Sequence, residues 1–366
     1  MDQPATDTHP VETSKRPPRR FGVRRPTWRG FARGVALLLF LAAASASVTP
    51  AGRTIYRSAL LLPSLLTTSQ TPFLTLSGGE ISHVTRTLDT ASGPVYLDIF
   101  APQDNPAAVP HARAGVLVIA GVGDNRGDIS LINLETSLAR SGVVVMTMTT
   151  QALINWQLTP SDVDGVVRAT DALKAWPGVA ADRVGLVGIS AGGALMCLAA
   201  ADSRLAGRLA YVTLFGSFYD GLSFLRDVGR RALDTGGHPQ PWQPQDVPLY
   251  VLATSLAPTF SPADAGLILA VFGVNGSAFG AERTLLTADQ VATLTPGGQA
   301  FYHLLAGDQP DQVATNLAAL PTATRDGLTL LSPKSIVARL RTQIYLLHDT
   351  SDQYVPFTES RDFAAA

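Results

Sequence analysis

The sequence predicts an α/β chain, a mostly parallel sheet with helices on both faces that a helical insertion interrupts late. Three observations point there. Ala114–Ala120, Val143–Met146 and Val184–Ile189 are apolar runs of the length and character of strands buried on both faces. Helical patterns separate them, as in a sheet whose parallel strands are joined by crossover helices. From about Gly221 to Lys334 the alternation gives way to Gly/Pro clusters and short helical patterns, and strand-like Thr342–Leu347 then restores it.

The N-terminus has its own logic. Lys15, Arg16, Arg19, Arg20, Arg24, Arg25, Arg29 and Arg33 form a basic stretch that no acid interrupts, and residues 34–52 carry no charge. A basic flank before an apolar run is the order of signal peptides and signal anchors. Residues 1–33 are therefore expected to stay cytoplasmic, and residues 34–52 to be a membrane anchor or signal segment. Everything beyond is expected outside. Ala44-Ser45-Ala46 could be a cleavage site, giving a secreted product. The long lead before the apolar run favours an anchor, since an uncharged span of this length just reaches the roughly 20 residues a bilayer needs. Positive-inside topology accounts for the arginines without nucleic acid, and a net charge of −1 gives the whole chain no affinity for it.

Residues 53–78 show no clean period and read as a connector. Ile81–Thr85 and Val95–Ile99 alternate as strands, with Ser92-Gly93-Pro94 as the turn between them. After the Ala114–Ala120 strand, Ile129, Leu131, Ile132, Leu134 and Leu138 mark a helix. After Val143–Met146, the stretch Val163–Trp176 sets Val163, Val166, Val167, Ala169 and Leu173 against Asp164, Arg168 and Asp171, an amphipathic helix. Ala191–Ala201 reads as a helix and Leu209–Phe215 as a strand. The expected core is thus residues 79–222 and 336–366, with residues 223–335 a helical cap insertion. Cys197, the one cysteine, falls in an apolar helix pattern as a small core residue, which excludes an internal disulfide and a multi-cysteine metal site.

Gly188-Ile189-Ser190-Ala191-Gly192 is G-x-S-x-G, entered by an apolar strand and left by an alanine-rich helix. In that setting the motif is a nucleophile elbow. The sharp turn exposes the Ser190 hydroxyl at the carboxyl end of the sheet, and Gly188, Gly192 and Gly193 let strand and helix approach. An oxyanion hole takes two backbone N–H groups. Ala191 is expected to give one, and Val122, in the loop Ala120-Gly121-Val122-Gly123-Asp124, the other. Gly121, Gly123 and Gly127 also suggest a dinucleotide loop, but the third glycine comes one place late and no acid ends the next strand.

After the strand Ile344–Leu347 comes His348-Asp349-Thr350-Ser351-Asp352-Gln353-Tyr354-Val355-Pro356. This resembles the α/β-hydrolases, in which a late strand ends in H-G-x-x-D-x-x-V-P and the Asp orients the catalytic histidine. Asp352 matches that acid, and Asp349 stands where the family usually has Gly. Asp220, after the preceding strand, is the weaker candidate. The resemblance covers residues of about 80–220 and 336–366. It is nearest to the dienelactone-hydrolase and prolyl-oligopeptidase-like group of bacterial hydrolases. It implies an α/β-hydrolase fold, with the insertion as a cap between the sixth and seventh core strands. It also implies a serine hydrolase that needs no cofactor and no metal.

The family order is Ser, acid, His, yet none of the fourteen residues after Asp352 is histidine. His9, His83, His111, His238, His303 and His348 are each read as structural. The sequence therefore predicts that the chain continues beyond Ala366 and carries its base there. The alternative is a chain that has lost its base. Two functions follow as expectations. One is cleavage of a small-molecule carboxylic ester, lactone or amide through an acyl-enzyme on Ser190, an ester being favoured over a peptide. The other is a non-catalytic, membrane-anchored protein that keeps the fold.

Overall fold

The computed structural model describes residues 49–65, 79–103, 112–273 and 283–366, with isolated positions elsewhere. The basic stretch 1–33 and most of the uncharged segment 34–52 lie outside the described residues. Two compact units divide the chain, Met1–Ser58 and Ala59–Ala366. Helix α1 (Pro50–Leu65) spans the boundary between them and has Pro63 inside it. It occupies much of the stretch read as an aperiodic connector. Ile55 and Leu62 on it are exposed. Among the described residues no helix is long and apolar enough to cross a membrane.

The second unit is built on a seven-stranded sheet. Its strands are β1 (Ile81–Thr90), β2 (Gly93–Pro102), β3 (Arg113–Ile119), β4 (Val144–Thr150), β5 (Val179–Ile189), β6 (Val212–Phe215) and, after the insertion and its own two short strands, β9 (Ile344–Leu347). Their order is β1-β2-β4-β3-β5-β6-β9. β2 runs antiparallel to both neighbours and all other pairs are parallel. This is the order and connectivity of an α/β-hydrolase sheet, as the sequence predicts. The first hairpin differs in extent. β1 and β2 pair over ten residues each, and the turn is Ala91–Ser92, with Gly93 already paired to Thr90.

The crossover helices α2 (Ile129–Arg140), α3 (Asp162–Lys174) and α4 (Ala191–Ala200) explain the unbroken apolar strands. Val116 and Val118 pack with Leu131 of α2 on one face. Leu117 and Ile119 join Val166 of α3 and Leu195 of α4 on the other. Alternate side chains of one strand therefore meet helices on opposite faces, and all must be apolar. Cys197 is fully buried in that second core, and burial pushes its thiol pKa up.

The insertion lies between the sixth and seventh strands of the sheet. It comprises α5 (Gly221–Arg230), a small hairpin of β7 (Ala232–Asp234) and β8 (Pro239–Pro241), α6 (Asp246–Leu256), α7 (Pro262–Phe272), α8 (Ala288–Thr293), α9 (Pro296–Ala306), α10 (Val313–Ala319) and α11 (Thr322–Leu331). Leu249, Leu252, Phe272, Phe301 and Leu304 belong to the same apolar cluster as the sheet. Insertion and sheet thus share one core. After β9 the acid loop leads to α12 (Phe357–Ala365).

Candidate active site

β5 delivers Ser190 into a conformation that side chains rarely adopt, with φ 53° and ψ −128°. Such backbone costs of order 1–3 kcal/mol and is kept only where its surroundings impose it. Here three glycines do so. A β-carbon on Gly188 would lie 2.4 Å from the α-carbon of Gly193. One on Gly192 would lie 2.7 Å from the Ile119 carbonyl, and one on Gly193 2.6 Å from the Ser217 side chain. The Ser190 N–H donates to the Phe215 carbonyl at 2.8 Å, tying the turn to β6. The Ser190 hydroxyl has no hydrogen-bond partner among the described residues.

The loop after β3 runs beside it. A β-carbon on Gly121, whose φ is 101°, would come within 3.6 Å of the Ser190 β-carbon. The peptide between Val122 and Gly123 is pinned at both ends: Asn125 Nδ2 donates to the Val122 carbonyl at 2.8 Å, and the Gly123 N–H donates to the Leu153 carbonyl at 2.8 Å. Gly123 N–H is therefore spent. No acceptor within the described chain takes the N–H of Val122 or Ala191. Trp156, at φ 60°, packs its ring against Gly123. A β-carbon on Gly127 would meet nothing within 4 Å, so close approach does not require that glycine, as it would in a dinucleotide loop.

Asp352 and Ser190 line one cavity of about 600 Å³, together with Val122, Asn125, Trp156, Phe215 and others. Oδ1 of Asp352 accepts the N–H groups of Tyr354 and Val355 at 2.6 and 3.1 Å. Its backbone carbonyl accepts Nε1 of Trp242 at 2.8 Å, and the Gln245 N–H donates to the Gln353 carbonyl at 2.9 Å. The insertion thus grips the acid loop. Asp220 instead caps α5 through the Leu222 N–H and pairs with Lys334 at 2.8 Å. It is not among the residues lining the cavity.

Of the described histidines only His348 lines the cavity. Its Nε2 lies 3.0 Å from the Val355 carbonyl and 3.3 Å from Oδ2 of Asp352, and its Nδ1 2.7 Å from the Ser360 hydroxyl. A carbonyl can only accept, so Nε2 carries a proton, and in the neutral ring Nδ1 accepts from Ser360. Both nitrogens are engaged. His83 pairs with Asp98 at 3.0 Å and stacks on Phe100, and His303 pairs with Asp308 at 2.9 Å. His9 and His111 lie outside the described residues. No group of three or more metal-binding side chains occurs among the described residues.

Two buried acids stand behind these loops. Glu135 of α2 hydrogen-bonds Thr147 and leaves Oε2 without a partner, and burial pushes its pKa up to about 7. Glu359 of α12 accepts the Tyr219 and Asp220 N–H groups at 2.8 and 2.7 Å and lies 2.5 Å from the Ser223 hydroxyl. Burial pushes it too to about 7.

The residues that sequence reasoning passes over are Asn125, Trp156, Trp242 and Glu359. Asn125 sits within the loop already singled out, so a turn-forming Asn there is a usable signal. The other three act across long sequence separations and carry no local motif.

No family model matches the chain, and no curated protein does. Among solved structures, a hypothetical protein from Pseudomonas aeruginosa is 18% identical over 43% of this chain and 49% of its own, with a TM-score of 0.34. Dipeptidyl peptidase 4 of Porphyromonas gingivalis is 14% identical over 78% of this chain and 30% of its own, TM-score 0.42. A 2,6-dihydroxy-pseudo-oxynicotine hydrolase is 13% identical over 92% and 74%, TM-score 0.41. The chain spans half or less of the length of the first two. The fold assignment rests on the strand order and crossovers of the chain itself.

Proposed function

We propose that this chain is a serine hydrolase that cleaves carboxylic esters through an acyl-enzyme on Ser190. The observation that carries the reading is the strained Ser190 at the head of α4, sharing one cavity with the Val122 loop and the Asp352 carboxylate. In this reading Ser190 Oγ attacks the ester carbonyl, and the unspent N–H groups of Val122 and Ala191 hold the oxyanion. The alcohol leaves, and water attacks the acyl-serine to release the acid.

A serine hydroxyl needs a base to take its proton. Oδ1 of Asp352 is occupied by two backbone N–H groups, so in this proposal Oδ2, which also lies 3.3 Å from Nε2 of His348, orients the imidazole of the base. The base in this proposal is a histidine other than His348, whose two nitrogens are taken. An ester is favoured over a peptide because its alkoxide leaves without prior protonation more readily than an amine does. The basic flank and uncharged segment 34–52 support a further part of the proposal, attachment to a membrane with everything after about Gly52 outside.

The test is labelling by a fluorophosphonate probe. Covalent labelling that is lost in Ser190→Ala supports the hydrolase. The unpartnered Ser190 hydroxyl favours a second reading, a non-catalytic protein with this fold, and absence of Ser190-dependent labelling would put that reading in its place.

A further inference from the structure

The wall of the Ser190 cavity has a one-sided charge. Its bulk is apolar or aromatic, with Val122, Trp156, Phe215, Val247, Leu347 and Tyr354. Among the described residues the carboxylates in the lining are Asp349 and Asp352, and no described lysine or arginine lines it. Arg126, which follows Asn125 in the loop, is turned away to Asp124 at 2.7 Å and Asp98 at 3.6 Å. Asp352 has a task in the proposed reaction. Asp349 has none: its Oδ1 accepts the N–H and hydroxyl of Ser351 at 2.9 and 2.8 Å, and those bonds hold its pKa below the usual carboxylate range. It is a fixed negative charge at the mouth of β9.

An anionic substrate would pass the exposed Asp349 at the rim and approach Asp352 further in, with no described lysine or arginine in the lining to offset either carboxylate. A neutral apolar group would meet a matching wall. A cationic group would meet a carboxylate in a lining that also holds Trp156 and Tyr354, aromatic side chains of the kind that attract ammonium groups. We infer that the cavity takes uncharged or cationic esters with an apolar or aromatic group and rejects anionic ones, and that Asp349 is the discriminating side chain. The repulsive element gives the selectivity as much as the attractive one. The part of this inference that concerns turnover rests on the Ser190 reading. The part that concerns binding does not.

The experiment uses the full chain and p-nitrophenyl esters in isosteric pairs: hemisuccinate against neutral 4-methylpentanoate, and 4-(trimethylammonio)butyrate against neutral 5,5-dimethylhexanoate. The expected order of kcat/KM is cationic at or above neutral, with the anionic ester about tenfold lower at low salt. Asp349→Asn is expected to narrow the deficit of the anionic ester relative to the neutral one about fivefold, whatever it does to the two rates in common. A second arm needs no turnover. In Ser190→Ala, phenyltrimethylammonium is expected to quench tryptophan fluorescence at lower concentration than benzoate, and Asp349→Asn to erase that preference. Equal rates for anionic and neutral esters, or equal binding of the two ions, overturns the selectivity. Selective binding without Ser190-dependent hydrolysis supports the selectivity and removes the reaction instead.

Discussion

Gly216 follows β6 at φ 55°, and a β-carbon built on it would lie 2.9 Å from Oδ2 of Asp352. The strand that receives the Ser190 N–H is therefore followed directly by the residue on which the acid loop packs. Gly216→Ala is expected to push Asp352 out of place and to strain the backbone by about 1 kcal/mol. Ester hydrolysis should fall about tenfold or more while circular dichroism stays native. Unchanged kcat in that variant would show that Oδ2 plays no part in orienting the base.

Ser190 holds strain that glycine would release. Ser190→Gly should abolish fluorophosphonate labelling and raise the free energy of unfolding by about 1 kcal/mol, the relief exceeding the entropy cost of glycine. Urea titration measures this. A stability equal to or below that of the parent would mean that the turn is not strained.

Asn125 does not touch the proposed oxyanion, but it fixes the peptide next to the Val122 N–H. Asn125→Ala is expected to lower kcat about tenfold with little change in KM, since the loss falls on the transition state. Asn125→Asp, which cannot donate to the Val122 carbonyl, should behave like Ala. Equal losses in KM would instead mark a general loosening of the cavity.

Glu359 sets a pH dependence of stability. In its protonated form the carboxyl can donate to Ser223, which in turn donates to the Asp220 carbonyl at 2.9 Å, while Oε2 still accepts two N–H groups. With its folded pKa raised from 4.5 to about 7, the folded chain keeps a proton that the unfolded chain gives up. Its contribution is fully present below about pH 4.5 and is lost as pH rises to about 7, a fall of up to about 3 kcal/mol. Glu359→Gln can keep the same hydrogen bonds and should flatten that part of the curve. A slope unchanged in Glu359→Gln would show that the carboxyl is already ionised near pH 5.

Much of this was legible in the sequence, for identifiable reasons. β3, β4 and β5 bury both faces, so their residues read as unbroken apolar runs, and the sharp turn at Ser190 leaves no room for a β-carbon at Gly188 or Gly192. The acid loop was legible because Asp352 caps its own turn through Tyr354 and Val355. The long pairing of β1 with β2 was not, because β1 is an edge strand with one exposed face, and residues such as Arg86 and Thr87 give it little contrast. The tautomer of His348 was out of reach, since Ser360 and Val355 come to it only through the fold of the acid loop and α12.

Trp242 and Gln245 reach from the insertion to the backbone of Asp352 and Gln353. That grip bears on any attempt to re-engineer this protein by exchanging its insertion for another. The segment is not a free-standing module that could be swapped to change what enters the cavity, because the same segment holds the acid in register with Ser190. A transplanted insertion would need an indole-like donor at the position of Trp242 and a backbone N–H at that of Gln245. Without them, a graft that folds and presents a new wall would still leave Asp352 without the contacts that hold its loop.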